Sequence, residues 1–498
     1  MKGDLKPAIR LPEWPWQVVH CLAGERGVRV WLVGGAVRDV LLGRPVHDWD
    51  FVVNRDALDL ARAVADVLGG AYFPLDVERG TGRVILAAAG KPRQELDFAV
   101  LRAADLETDL CARDFTVNAL ALDETGTLLD PTGGRADLAA RHVRATSAQA
   151  FQDDPVRLLR AVRLSAELGF EIEPQTAGWI CRDAALLARP AAERVRDEFV
   201  RLLAVPAAAC HLQQCDEFGL LPYVVPELER LKHVTQSPPH RFDVWRHTLL
   251  TVDALEGIVA AITSGESGQP ALADAPPAAW GDLARTLAQF ADDLATHLAV
   301  EVSGGRERAL LLKLAALLHD VGKPETGAQG EDGRIHFYDH EPVGARLAAV
   351  RLQNLRFSHD EVERVRVMVG SHMRPTHLAC ADHVTRRAAY RFFRATGSAG
   401  VEIVLLSLAD QLAIWGPNLQ EERWTRQLEV AETLFSHYFE RYAETVAPPP
   451  LVTGDDLMAA LGLDAGPEIG RLLEAVREAQ AAGEVRTREE ALALARRL

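Results

Sequence analysis

Strand signals in this chain of 498 residues are confined almost wholly to residues 1–150 and then nearly vanish. In that first part, β-branched and aromatic runs at Val28–Val33, Trp49–Val53, Arg83–Ala87 and Glu95–Val100 alternate with helical patterns, as in a small α/β or α+β domain. From Asp154 onward, apolar residues recur at three- and four-residue spacing, as in Val156, Leu159, Val162, Leu164 and Leu168. That is the period of helices with one buried face. The expected fold is therefore α+β, a small mixed β-sheet head followed by an elongated all-α remainder. An Ala/Pro/Gly/Ser-biased stretch near 263–308, including Gln269–Pro277, reads as an insertion or mobile loop, and Ala447-Pro448-Pro449-Pro450 reads as a break before a final helical module. Residues 1–145 are taken as the head, 146–232 as a helical neck, 233–446 as a helical body and 447–498 as a tail.

Composition excludes several classes of protein. Apolar runs are broken by charge before they reach the roughly 18 residues of a membrane span, and no basic-then-apolar leader opens the chain. No membrane partner is expected, and the reading is cytoplasmic. The six cysteines form no C-x-x-C pair, which argues against a disulfide framework or a zinc ribbon. A formal charge of −16 argues against indiscriminate wrapping around nucleic acid but leaves room for a local basic stripe.

The chemistry begins at Leu32-Val33-Gly34-Gly35-Ala36-Val37-Arg38-Asp39, followed by His47-Asp48-Trp49-Asp50-Phe51. A strand entering paired glycines and then a helix lets backbone approach a triphosphate. Asp48 and Asp50 project from one face of a strand, where two carboxylates can share hard cations with phosphate oxygens. Asp97 on a neighbouring strand is the candidate third carboxylate for two-metal chemistry, and Glu95 shares its face. An isolated Asp-x-Asp is also what a solvated strand edge carries, so the surrounding residues decide.

The run G-G-x-V-R-D-x-L-L-G followed by D-x-D resembles the signature of the tRNA nucleotidyltransferase and bacterial poly(A) polymerase family, within the DNA polymerase beta superfamily. Arg113-Asp114-Phe115-Thr116-Val117-Asn118-Ala119 is similar to the family's R-R-D-F-T-x-N-A motif, with Ala112 in place of the first arginine. The resemblance implies that Arg113, Asp114 and Asn118, with Gly34, Gly35 and Arg38, hold the triphosphate and ribose. Asp153-Asp154-Pro155-Val156-Arg157 looks like the family's E-D-x-x-R motif. An aspartate accepting from the cytosine amino group and an arginine donating to N3 and O2 would reject uracil, so Asp154 and Arg157 are the expected base readers. Asp154 before Pro155 also fits a helix cap. Arg160 and Arg163 extend from this motif as a phosphate stripe or a solvated helix face, and Glu193-Arg194 resembles a structural element of the family's neck.

In the helical body, His247, the His319-Asp320 doublet and Asp410 offer imidazole and carboxylate ligands to a divalent transition metal. Their spacing resembles the HD-domain phosphohydrolase superfamily, in which His340 and His372 match positions serving a second metal or the phosphate. The resemblance implies Mg²⁺ in the head and Mn, Ni or Co in the HD domain, where a metal-bound water attacks cyclic or terminal phosphates of damaged tRNA ends. The final segment, from Val452-Thr453-Gly454, is similar to the tail module of HD-bearing members. The implied partners are the tRNA 3′ end, CTP and, in one reading, ATP.

One departure bears on the product. Full CCA-adding relatives carry a long movable loop before the R-R-D-F motif, thought to help the site switch from CTP to ATP. Here only residues 103–108 separate Leu101-Arg102 from Asp109. Without a movable element the base pocket has little means of reshaping, so the expected product is CC. The alternatives are full CCA addition, poly(A) synthesis, and an HD phosphohydrolase with a non-catalytic tRNA-binding head.

Overall fold

The computed structural model describes residues 14–87, 93–264, 272 and 274–498, arranged in two compact units. One comprises the chain up to Pro190 with Phe218–Leu220, and the other Ala191–Glu217 with Leu221–Leu498. The expected neck segment thus contributes to both.

The first unit is built on a mixed sheet of seven strands: β1 (Val30–Val33), β2 (Asp48–Val53), β3 (Ala71–Asp76), β4 (Thr81–Leu86), β5 (Gln94–Val100), β6 (Ala121–Leu122) and β7 (Leu128–Leu129). Their order is β3-β4-β5-β2-β1-β6-β7. Only the central pair β2/β5 is parallel, in the register Asp48↔Glu95 and Asp50↔Asp97; β1 runs antiparallel to β2 and pairs Val33 with Asp50. Strand periodicity then divides β2. Trp49 and Phe51 lie on one face, where Phe51 stacks on Phe98 at 5.0 Å and on Trp16 at 6.1 Å. Asp48 and Asp50 lie on the other. On that side, Val33 and Val52 pack with Leu106, Leu110, Ala119 and Ala121 beneath the acids.

The second unit is almost wholly helical, with short hairpins at Glu301–Glu307 and Ala328–His336. Its core helices are Val244–Ser264, Arg308–Leu318 and Gly400–Trp415. Leu255, Leu311, Leu317, Leu405 and Leu408 are fully buried among them. The one stretch among the described residues long and apolar enough to cross a membrane is Arg386–Asn418, and its apolar 18-residue window is 89% buried inside this fold; Gly397 breaks it into two helices.

The 263–308 stretch differs from the loop expectation. Residues 265–271 and 273 lie outside the described residues, but the rest forms the helices Pro277–Ala288 and Ala291–Leu298 and the Glu301–Glu307 hairpin. Alanine is the strongest helix former and Pro277 occupies the first helical turn, where its missing N–H costs nothing. At the carboxy end, the helices Gly454–Leu461, Pro467–Ala482 and Arg488–Ala495 close around Leu457, Leu472 and Val476.

Candidate functional site

Gly34 ends β1 and caps the helix Gly35–Leu41 with φ 72°, a conformation that favours glycine. A Cβ there would stand 3.0 Å from Arg113 Nη1 and 3.4 Å from Asp50 Oδ2, so the turn brings backbone against the acids. Its amide is spent on the Leu120 carbonyl at 3.0 Å, which leaves that N–H unavailable to a phosphate. Beside it lies an open cleft of about 430 Å³. Asp50 and Asp97 form part of its floor, and Arg102, Arg113, Asp114, Arg157 and Arg160 part of its walls.

The parallel register sets Asp97 directly beside Asp50. Burial pushes the Asp50 carboxyl up to about 6; Arg113 opposes that rise, and Asp97 and Asp48 add to it. A carboxylate crowded by two others in a desolvated site is the donor set a hard cation stabilises in its ionised form. The acids therefore fit a divalent cation. Arg83, one strand over and opposite Asp97, grips both Asp97 oxygens at 2.7 and 2.8 Å and reaches Glu95 at 2.5 Å. These carboxylates hold its guanidinium further on the charged side.

The predicted nucleotide ligands are joined by one polar chain. Arg38 donates to Asp39 at 2.9 Å and to the Asn118 side-chain oxygen at 2.8 Å. Asn118 donates to Asp114 at 3.2 Å, and Arg160 donates to the other Asp114 oxygen at 3.1 Å. Arg157 reaches the carbonyls of Ala112 and Ala150 at 3.3 Å and of Arg113 at 3.4 Å. These are long hydrogen bonds, and the Nε atoms of Arg157 and Arg113 are buried with no partner. Both predicted arginines are thus under-satisfied, as binding groups are before their ligand arrives.

Asp154 and Arg163 are not among the residues that line the cleft. Asp154 precedes a helix assigned from Arg157 rather than Pro155, and its carboxylate accepts from the Val156 N–H at 3.4 Å. Arg163 donates to Glu167 at 2.6 and 2.7 Å, one helical turn on. Asp48, at the exposed start of β2, is close enough to Asp50 to perturb it electrostatically.

A second site lies in the helical unit. His247 comes from the Val244–Ser264 helix, His319 and Asp320 follow Arg308–Leu318, and Asp410 lies in Gly400–Trp415. His340 opens the helix His340–Asn354, and His372 follows His359–Ser371. Two potential ligand groups result, His247/His319/Asp320 and Asp320/His340/His372, with Asp320 common to both. Asp410 Oδ1 lies 3.0 Å from His247 Nε2. His319, His340 and His372 each direct Nδ1 to a backbone carbonyl at 2.7–2.8 Å. That contact fixes the tautomer and leaves Nε2 for a metal.

Electrostatics divide this donor set: burial works to lower His319, but the Asp320 and Asp410 carboxylates raise it above the ordinary imidazole value. Although burial works to raise it, Asp320 is held well below the usual carboxylate range by His319 and Lys323. His372 is pushed down to about 3 by burial and by His319 and His340, so its imidazole is neutral, the ligating form. Gly322 makes the cluster possible: a Cβ there would fall 2.1 Å from the His340 carbonyl oxygen.

Sequence reasoning missed Arg83 and Arg102 in the first site and His240, Lys323, Tyr338 and His377 in the second. The β4–β5 hairpin register was the one signal for Arg83. His240 sits in a loop without periodicity, and its ring meets His247 edge-on at 5.4 Å.

Comparison with known proteins now decides the family. The model described as "Poly A polymerase head domain" matches residues 30–144, and "HD domain" matches 283–415, which contains every metal-type residue above except His247. A further model for a tRNA nucleotidyltransferase domain matches 412–495. The A-adding tRNA nucleotidyltransferase of Deinococcus radiodurans is 38% identical over 94% of this chain and 94% of its own. The chain belongs to the tRNA nucleotidyltransferase family. It is an enzyme of that kind. CC-adding members from Thermus thermophilus and Geobacter sulfurreducens are 36% and 35% identical, covering 93% and 95% of this chain and 92% and 93% of their own. The CCA-adding enzyme with CTP shares the fold at a TM-score of 0.62 and 19% identity, covering 97% of this chain and 95% of that structure. The Thermotoga maritima CCA-adding enzyme complexed with tRNA does so at 0.56 and 20%, covering 98% and 96%.

Proposed function

We propose that this enzyme adds two cytidylates to the 3′ end of tRNA from CTP, without a template. The observation that carries the transferase reading is the in-register pair Asp50 and Asp97 beside the Gly34 turn, with Asp48 on the same face. The terminal hydroxyl attacks the α-phosphorus, its proton is released, a new P–O bond forms and diphosphate leaves. Asp48 and Asp50, with Asp97 alongside, would hold Mg²⁺, which when bound would supply counter-charge and Lewis acidity. Arg113 faces the same cleft as a cation for the triphosphate, while Arg38, Asn118 and Asp114 form a prearranged polar chain for triphosphate and ribose. Asp154 and Arg157 read cytosine. The three long carbonyl contacts of Arg157 are easily exchanged for a base edge.

The restriction to two cytidylates rests on the connection after β5. Leu101–Ala104 leads straight to Asp105, whose carboxylate caps the helix Leu106–Cys111 through the Thr108 N–H at 2.8 Å. The connection is short and its turn capped, which gives the base pocket little chain with which to reshape. A second reading, addition of the terminal adenosine, is favoured by the A-adding relative at 38% identity.

The second site is proposed as a metal-dependent phosphohydrolase for tRNA ends. Its two histidine groups sharing Asp320 fit a pair of divalent transition ions. The direct test uses tRNA lacking its 3′ CCA, Mg²⁺ and labelled CTP, UTP or ATP singly. Label entering from CTP alone, and lost in Asp48→Asn, is the expected outcome; incorporation by Asp48→Asn would remove the carboxylate mechanism. On tRNA already ending in CC, label from ATP would replace the first reading by the second.

A further inference from the structure

The cavity over the HD ligands, about 470 Å³, is lined by Asp320, Lys323, His340, His372 and Asp410 and by an aromatic segment, His336-Phe337-Tyr338. A phosphate alone needs only the charged end of such a space. Tyr338 is 75% exposed although it lines the cavity. One face of its ring lies on His336, nearly parallel at 7° and 5.3 Å between centroids. His336 is itself held, with Nε2 at 3.1 and 3.2 Å from the two Asp332 oxygens. It closes the Ala328–His336 hairpin, which the Ser237 hydroxyl anchors by accepting the Ile335 N–H at 2.7 Å. Phe337, between His336 and Tyr338 in sequence, lies under the Lys323 ammonium at 5.4 Å. Asp339 then adopts a left-handed φ of 61° and caps the helix that the metal-type residue His340 opens.

A rigidly backed aromatic ring, exposed on its free side and opening on a phosphate-chemistry centre, is the arrangement that binds a nucleobase by stacking. We infer that Tyr338, backed by His336, is the platform for the base of the terminal nucleoside whose phosphate enters the HD centre. The HD substrate is accordingly a base-bearing phosphoester of either base class, not a phosphate monoester in general. Stacking does not depend on hydrogen-bond pattern, so the platform tolerates purine and pyrimidine. This inference rests on the phosphohydrolase reading of the same site.

The test uses full-length, metal-loaded protein with cytidine 2′,3′-cyclic phosphate as substrate and inorganic phosphate as competing inhibitor. Tyr338→Ala is expected to raise KM about 10- to 100-fold, leave kcat within about twofold, and leave the phosphate inhibition constant unchanged, while Tyr338→Phe and Tyr338→Trp restore KM. An unchanged KM in Tyr338→Ala, or a phosphate constant that shifts with it, overturns the platform. If the wild type hydrolyses no phosphoester, the hydrolase reading fails by itself. Calorimetric binding of cytidine 3′-phosphate to Asp48→Asn protein, with and without Tyr338→Ala, then decides the platform: binding weakened by the alanine supports it, and equal or absent binding refutes it.

Discussion

Asp50 carries the largest burden of any single residue in the head. Its carboxyl titrates near 6 because burial and the Asp97 and Asp48 charges favour the protonated form, against Arg113. A proton therefore competes with Mg²⁺ for the same oxygens. The apparent Mg²⁺ requirement for nucleotide addition should rise as pH falls below about 6 and level off above it; a requirement flat from pH 5 to 8 would contradict this. Asp48→Asn should lower incorporation by at least about a hundredfold, while hydrolysis of cytidine 2′,3′-cyclic phosphate remains. These acids, the glycines and the arginine motifs were legible because each sits in a dense local pattern. Arg83 was not: its role depends on a cross-strand partner 14 positions away. Arg163 read either as part of a phosphate stripe or as a solvated helix face, and it donates to Glu167 one helical turn on.

Among the elements, β2 and β5 do two jobs with one alternation. Their outward residues are the acids, and their inward residues are Phe51 and Phe98, both fully buried. Phe98→Ala should cost about 3–5 kcal/mol of unfolding free energy, measurable by denaturant titration; a loss below about 1 kcal/mol would mean the stacked pair is not core. Strands β1, β2, β4 and β5 were readable as runs of β-branched and aromatic residues. The edge strand β3 contains Pro74 and exposes Phe73 and Leu75, and β6 and β7 have only two residues each, so none carries a period to detect. Residues 277–298 read as loop because Pro and Gly punctuation outweighed an alanine content that tertiary packing turned into helix, with Trp280, Leu283 and Leu294 in the core.

Across the whole molecule, two candidate sites lie in separate units, the acids of the sheet in one and the histidine cluster in the other. Each should therefore fail alone. His319→Ala should abolish metal-dependent phosphoester hydrolysis and leave nucleotide addition within about twofold of wild type; a parallel loss of both would tie the sites together. The division into sheet and helical regions was legible from periodicity. Cytidine-only addition is the central claim, and product length tests it most directly. Purified protein with tRNA ending at the base before CCA, Mg²⁺ and both CTP and ATP should yield a product two nucleotides longer, and no more when ATP is raised. A third nucleotide, or no extension until CC is already present, would contradict the account.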